Sequence, residues 1–333
     1  MNDRAFGGRG FSRDINCANF SGLQPLKPHR PGLFPRRLAL VALLPLLFLV
    51  LAAPARAGAR AECRSVPSKI LGHPVPYCIL LPPSYDTQKT RRFPVLYFLH
   101  GLGGNDQMLI DSGAMNVIDS MWEDGKLGQF LIVTPDAYTS FYINSFNGRD
   151  RYQSFFLHEF MPFIERNYRT LPGRQYRGIS GISMGGYGAL HLAFSYPWLF
   201  GSVTASSAAL VAHLPRITSA GVRSLPFFRA LNGVFGDPFN RAFWDRNDPL
   251  HLARTANLSG LKIEFDCGEQ DSYGFEYGAI ELNKILDARH IPHVFHLYPG
   301  THDWEYFAAR IPAALQFQSR AFGLHPRPHP ATR

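Results

Sequence analysis

The stretch YRGISGISMGGYGALHLAFSY, residues 176–196, decides the fold. Tyr176–Ile182 reads as a strand, and Gly185–Tyr196 reads as a helix. Between them stands Gly181-Ile182-Ser183-Met184-Gly185-Gly186, a G-x-S-x-G that directly follows a strand and directly opens a helix. A serine placed there sits on a sharp turn, and its flanking residues must be tiny because the backbones crowd together. The turn lifts the hydroxyl above the carboxyl edge of the sheet. It also aims the Met184 amide and the helix N-terminus at negative charge forming on a nearby oxygen.

Working outward, strands and helices alternate from Glu62 onward. Pro76–Leu81, Pro94–His100 and Gln129–Thr134 are short apolar runs that read as strands, and Gly201–Ser206, Leu261–Asp266 and His293–Tyr298 read as further strands. Arg151–Tyr168 has apolar residues at helical spacing, while Ile280–Arg289 and Trp304–Phe322 read as further helices. Short strands with helices between them predict an α/β fold with a mainly parallel, doubly wound sheet covered on both faces. Residues 208–257 break the alternation and predict a helical or irregular insertion over one end of the sheet. The globular domain is expected at 58–324, with no internal repeat.

The formal charge of +9 suggests an anionic polymer until its position is examined. Residues 1–57 carry eight Lys/Arg against two acids, and the tail 325–333 adds two arginines, which leaves 58–324 at only +1. That excludes a phosphate-backbone partner, so no nucleic acid is expected. Arg36-Arg37 precede Leu38–Ala53, sixteen uncharged and mostly apolar residues, and Pro54-Ala55-Arg56-Ala57 follows. This pattern is that of a secretory signal peptide behind a disordered leader, and it predicts a secreted or periplasmic protein. The run is short for a membrane span and contains Pro45; uncleaved, residues 38–53 would act as an anchor. The tail 325–333 reads as disordered. After export Cys63, Cys78 and Cys267 remain. A hairpin turning at Gly72-His73 would set Cys78 opposite Ser68 or Val66, so a Cys63–Cys78 bridge needs another register or a longer loop. Cys267 reads as a small buried residue.

A serine hydroxyl is a weak nucleophile without a base and a group that orients the base. The strand LKIEFD (261–266) runs into Cys267-Gly268-Glu269-Gln270-Asp271, and Asp271 is the candidate acid, with Asp266 and Glu269 as rivals. Asp266 ends the strand and is expected to point elsewhere. The strand HVFHLY (293–298) runs into Pro299-Gly300-Thr301-His302, and His302 is the candidate base. Asp303 adjoins it too closely in the chain to orient it. Ser183, Asp271 and His302 thus all fall just past strand C-termini, where open α/β sheets carry their sites. Residues 98–104 (FLHGLGG) follow a strand and can turn backbone amides inward; Leu102 is the candidate partner of the Met184 amide, with Gly103 the alternative. His293 and His296 lie three apart on a strand and face opposite sides, so no metal site is expected. Nothing points to a cofactor.

These residues together resemble the "Putative esterase" (esterase D-like) family of α/β-hydrolases, across about 62–324. The resemblance rests on FLHGLGG (98–104), PDAYTSFYINS (135–145), GISMGGYGAL (181–190), DCGEQD (266–271) and GTHDW (300–304). It implies an α/β-hydrolase fold and serine esterase chemistry, with Ser183 as nucleophile, Asp271 as acid, His302 as base, and Leu102 and Met184 as oxyanion amides. It also implies an active-site wall at Ser140-Phe141-Tyr142. Phe141, Tyr142 and Trp304 are the candidate substrate-binding residues. HGLGG (100–104) lacks the cysteine-bearing loop expected of S-formylglutathione hydrolases, and GISMGG differs from the small-residue version in mycolyltransferases. The expected activity is therefore a carboxylesterase acting on a short-chain or saccharide-linked ester. A transferase using the same triad and a non-catalytic scaffold are the other readings.

Overall fold

The computed structural model describes residues 58–212 and 226–325. The chain divides into Met1–Ala53 and Pro54–Arg333, and every described residue falls in the second unit. The expected leader and signal segment (1–57), the tail beyond residue 325 and part of the insertion (213–225) lie outside the described residues.

The sheet has eight strands: β1 (Arg60–Val66), β2 (Val75–Leu81), β3 (Val95–Leu99), β4 (Leu131–Pro135), β5 (Arg177–Ile182), β6 (Ser202–Ser206), β7 (Lys262–Gly268) and β8 (His293–Tyr298). Their spatial order is β1-β2-β4-β3-β5-β6-β7-β8. From β4 to β8 all neighbours run parallel, and β2 pairs antiparallel with both β1 and β4. The inner strands β3 and β4 are continuous apolar runs, buried at every residue, because both their faces are covered. On one face Tyr97, Ile179, Val203 and Phe265 join a large core. On the other, Leu96, Phe98, Ile132 and Ile182 pack with Trp122 of α1 (Ala114–Glu123) and Leu315 of a long C-terminal helix.

The hairpin differs from its expected register. Cys63 pairs with Cys78, and the two are joined by a disulfide. The connection is not a tight turn at Gly72-His73: it spans residues 67–74 between β1 and β2 and is tied down by a distant carboxylate. Glu159 accepts from the Ser68 hydroxyl and from the Lys69 and Ile70 amides. A side chain ninety residues away in sequence thus sets the register that brings the cysteines together. Glu159 lies in the second difference. The expected helix over 151–168 is interrupted by a π-helical turn, Phe156–Phe160, between Tyr152–Phe155 and Met161–Asn167. Pro162 has no amide proton to continue the α-helical ladder across this junction.

The helix α2 (Met184–Ser195) is buried on nearly all sides against β3, β5 and β6, which accounts for its small and apolar composition. The described part of the insertion forms three helices, α3 (Pro226–Phe235), α4 (Arg241–Asn247) and α5 (Pro249–Thr255). Asn240 and Asp248 cap α4 and α5 by accepting from the Phe243 and Leu250 amides. Helix α6 (Phe275–Ala288) begins five residues before the expected Ile280, because Gly274 in the left-handed region starts it directly after the β7 loop. Helix α7 (Trp304–Ala321) closes the fold.

One buried titratable group joins α2 to the insertion. His191 Nδ1 lies 2.9 Å from the Asn247 carbonyl oxygen and Nε2 lies 2.8 Å from the Gln153 side-chain amide. Burial pushes its pKa down to about 4. The folded protein therefore keeps this ring neutral while the unfolded chain protonates it near its ordinary value. The stability it contributes is complete above about pH 6.5 and is lost as pH falls toward 4, in total about 3 kcal/mol. Urea midpoints measured from pH 7 to pH 4 should fall more steeply for the wild type than for His191→Gln. Parallel curves would remove His191 as the cause.

Candidate active site

The elbow between β5 and α2 is built by exclusion. A Cβ on Gly181 would lie 2.2 Å from the Gly185 carbonyl oxygen, and a Cβ on Gly185 would lie 2.1 Å from that of Leu99. Only hydrogens fit at these two contacts, so the chain can fold sharply back over β3. Ser183 then takes φ 55° and ψ −118°, an unusual backbone for a residue with a side chain. It is held by its surroundings: its amide donates to the Ser206 carbonyl, and its carbonyl accepts from the Tyr187 and Ala209 amides, each at 3.0 Å.

His302 reaches it from the β8–α7 loop. Ser183 Oγ lies 2.8 Å from His302 Nε2, and His302 Nδ1 lies 2.7 Å from Asp271 Oδ2. Backbone bonds clamp the two loops that carry Asp271 and His302. The Glu269 amide donates to the Tyr298 carbonyl (2.8 Å) and the Gln270 amide to the Gly300 carbonyl (3.1 Å). A Cβ on Gly268 would stand only 2.6 Å from the Gly300 oxygen, so glycine at 268 lets the loops approach. The Asp271 side chain is fully buried, and its Oδ1 accepts from the Tyr273 amide at 2.9 Å. Burial alone would raise this carboxyl, but the hydrogen bond and charge of His302 and the Tyr273 amide hold it below the usual carboxylate range. An ionised Asp271 fixes the proton on Nδ1 and leaves Nε2 free to accept from the Ser183 hydroxyl.

The rival acids have other partners. Asp266 accepts from the Ser206 and Tyr306 hydroxyls, inside a strand that continues to Gly268 rather than stopping at 266. Glu269 is exposed, and Asp303 caps α7 by accepting from the Tyr306 amide. The histidines are dispersed: His293 stacks on Phe265 and bonds Asn283, and His296 is exposed. Cys63, Cys78 and Asp106 are the one group of close potential ligands among the described residues, and the two sulfurs are bonded to each other. Cys267 is buried between Ser207 and Asp271, and burial pushes its thiol far above its ordinary value.

The loop after β3 packs directly on the serine: a Cβ on Gly101 would lie 3.3 Å from Ser183 Cβ. Its shape is set by His100, which is wholly buried. His100 Nδ1 donates to the Gly101 carbonyl (2.8 Å), and Nε2 accepts from the Ala137 amide (2.9 Å). The same Gly101 oxygen accepts from the Gly104 amide. With that oxygen turned away, the Leu102 amide is left unpaired beside the serine. Among the described residues neither it nor the Met184 amide, at the first position of α2, has a hydrogen-bond acceptor. Only the place of His100 before Gly101 at a strand end marks this role in the sequence.

The expected wall residues are placed differently. Phe141 and Tyr142 are 0% exposed, so their rings are internal braces rather than surfaces open to a ligand. Phe141 packs edge-on against Tyr187, Phe227 and Phe235. Tyr142 fills the space that the missing side chain of Gly188 leaves, and its hydroxyl donates to the His100 carbonyl at 3.0 Å. Both hold positive φ, 52° and 60°, which turns the side chains inward. Trp304 is 36% exposed at the first residue of α7. A residue the sequence reading missed stands nearer the base. Tyr273 is 56% exposed and meets the His302 ring edge-on at 4.9 Å. Phe275 and Phe307 meet the same ring at 5.3 and 5.1 Å. Three aromatic rings shield the imidazole from water, and Phe227 of α3 joins them through Tyr273 and Phe275.

The sequence profile of the "Putative esterase" family matches residues 68–318. Esterase Rv1288 of Mycobacterium tuberculosis is 30% identical over 243 residues, which cover 67% of this chain and 51% of the relative. The chain thus spans about half the length of that relative. An acetyl esterase of Caldicellulosiruptor saccharolyticus is 27% identical over 231 residues, covering 68% of this chain and 83% of the relative. The solved structure of a ferulic acid esterase superposes with a TM-score of 0.68 at 26% identity, over 80% of this chain and 99% of that one.

Proposed function

Since the chain belongs to the "Putative esterase" family, we propose that it is an esterase-type hydrolase that cleaves carboxylic esters through a covalent acyl-serine at Ser183. The observation that carries this reading is the unbroken hydrogen-bonded line from Ser183 Oγ through His302 to Asp271, at 2.8 and 2.7 Å. His302 Nε2 takes the hydroxyl proton as Ser183 Oγ bonds to the ester carbonyl carbon. The carbonyl oxygen gains the negative charge and receives hydrogen bonds from the Leu102 and Met184 amides. As the tetrahedral species collapses, the bond to the alcohol oxygen breaks, and the imidazolium returns its proton to that oxygen. Water then repeats the sequence on the acyl-enzyme and releases the acid. Asp271 stays ionised throughout and steadies the imidazolium.

The substrate is a short-chain or saccharide-linked carboxylic ester, a reading supported by the acetyl esterase and ferulic acid esterase among the similar proteins. Because His302 Nε2 must reach the leaving oxygen, the exposed Tyr273 ring beside it is placed to meet the alcohol side of the substrate. Action outside the cytoplasm is part of the proposal. The Cys63–Cys78 bridge supports it, since disulfides persist in oxidising compartments.

Hydrolysis of p-nitrophenyl acetate, butyrate and octanoate tests the reading, with cell fractions assayed beside the purified protein. Turnover should be highest on the shorter acyl groups and recovered outside the cytoplasm. Folded protein that neither turns over these esters nor is labelled by a fluorophosphonate would sink the proposal. Preferential transfer of the acyl group to an added sugar, rather than to water, would identify a transferase.

A further inference from the structure

Parallel strands give the sheet two unlike ends, and the end opposite Ser183 carries two adjoining cavities. The first, about 340 Å³, lies where β5, β6 and β7 begin and is lined by Arg174, Ser195, Trp198, Asn257 and Ser259. The second, about 760 Å³, shares Asn257 and Ser259 and continues past Lys262, Arg289, Phe317 and Arg320. Together they form a groove running from Trp198 to the end of α7.

Three features set this groove apart. Arg174 Nη2 is buried and has no hydrogen-bond partner, which is costly for a charged donor. Trp198 is 63% exposed, with its ring braced edge-on by Tyr196 at 5.5 Å, whose hydroxyl accepts from Gln153 Nε2. Lys262, Arg289 and Arg320 are exposed and form no ion pair among the described residues. Lys262 and Arg289 are held instead by main-chain oxygens, of Ala321 and Ala253. In a domain whose net charge is only +1, four unpaired cations along one groove are a local concentration, not a general basicity.

We propose that this groove is an accessory binding site for an acidic oligosaccharide, a chain of uronic-acid units. A pyranose ring can lay its C–H face on the exposed Trp198 indole. Its carboxylate then draws toward it the Arg174 guanidinium that lines the cavity, a small turn that also gives the buried Nη2 an acceptor, and the planar fork suits a carboxylate. Asn257, Ser259 and Ser195 offer partners to hydroxyl groups, and the cations of the second cavity receive the next carboxylate. A small inorganic anion would leave Trp198 unused, and a neutral sugar would leave Arg174 unpaired. The cavities have the size of ordinary ligand sites. Their place at the far end of the sheet makes binding there independent of the triad.

Isothermal titration of the full chain with trigalacturonate at low ionic strength tests this. Trp198→Ala and Arg174→Gln should each weaken binding about tenfold or more, and added salt should weaken it further. Ser183→Ala should bind as the wild type does, and the corresponding neutral galactose trisaccharide should bind far more weakly. Turnover of p-nitrophenyl acetate reports whether the groove variants fold; if Trp198→Ala loses it, Trp198→Phe, which keeps a platform, should show intermediate affinity. The proposal is overturned by absent binding, by equal binding of the neutral trisaccharide, or by wild-type affinity in both folded groove variants. Displacement of the sugar by an equal concentration of inorganic phosphate would overturn it as well, since that marks a bare anion site.

Discussion

Ser183→Ala is expected to lower kcat on a p-nitrophenyl ester by about 10⁴- to 10⁶-fold while leaving the protein folded. The chemistry loses the only oxygen that His302 Nε2 can activate, since that nitrogen is bonded to Ser183 Oγ and Nδ1 is committed to Asp271. The fold loses little, because the elbow is held by the Ser183 amide and carbonyl and by the glycines around it. The Cβ of alanine keeps the contact with Gly101. The residual rate reflects the unpaired Leu102 and Met184 amides, which can still polarise a carbonyl toward attack by water. His302→Ala should cost a comparable factor, and the double variant little more, because on the proposed mechanism Ser183 and His302 act as a unit. Thermal unfolding, fluorophosphonate labelling and kcat are the three measurements. A serine-less protein that unfolds normally and retains more than about a tenth of wild-type turnover would exclude acyl transfer through Ser183.

Gly185→Ala is expected to be almost as damaging, for a steric reason. The new methyl would lie 2.1 Å from the Leu99 oxygen, 2.5 Å from its carbonyl carbon and 2.6 Å from the His100 oxygen. All three are backbone atoms of a central strand, so no side chain can swing aside. Either α2 moves away from β3 or the end of β3 moves, and both carry the site: α2 brings the Met184 amide, and β3 leads into Gly101 and Leu102. Overpacking of this kind costs on the order of 3 kcal/mol or more, a large share of a typical domain's stability. A displacement of about 1 Å between the serine and its oxyanion amides adds a loss of roughly 10²-fold in kcat. Gly233→Ala supplies the contrast. A Cβ there meets nothing within 4 Å on helix α3, so it should be neutral or slightly stabilising. Equal unfolding temperatures and equal kcat for Gly185→Ala and the wild type would show that the elbow tolerates a side chain.

Much of this architecture is legible in the chain because its signals are local. An apolar run of five to seven residues covered on both faces must be hydrophobic throughout, and β3 and β4 are found within two residues of where that pattern places them. The spacing Gly181-x-Ser183-x-Gly185 has a steric cause that acts over four residues, so the motif can be read without knowing what lies across from it. Ser183, Asp271 and His302 each follow a strand, and the directional order of an α/β sheet carries them to one edge.

Sequence alone determined most of the strands, which strand ends precede Ser183, Asp271 and His302, and that the globular part is nearly neutral, whereas the helix Ala114–Glu123 was not read from it. Tertiary structure decided what depends on residues far apart in the chain. The Cys63–Cys78 register follows from Glu159 holding the β1–β2 loop. Phe141 and Tyr142 turn inward because Gly188 leaves room and His100 offers an acceptor. Tyr273 stands over the base because its own amide is tied to Asp271. Local patterning records the period of burial and the sterics of a turn. Which side chain fills which space is settled only by the partner that packing brings to it, and no local period encodes that partner.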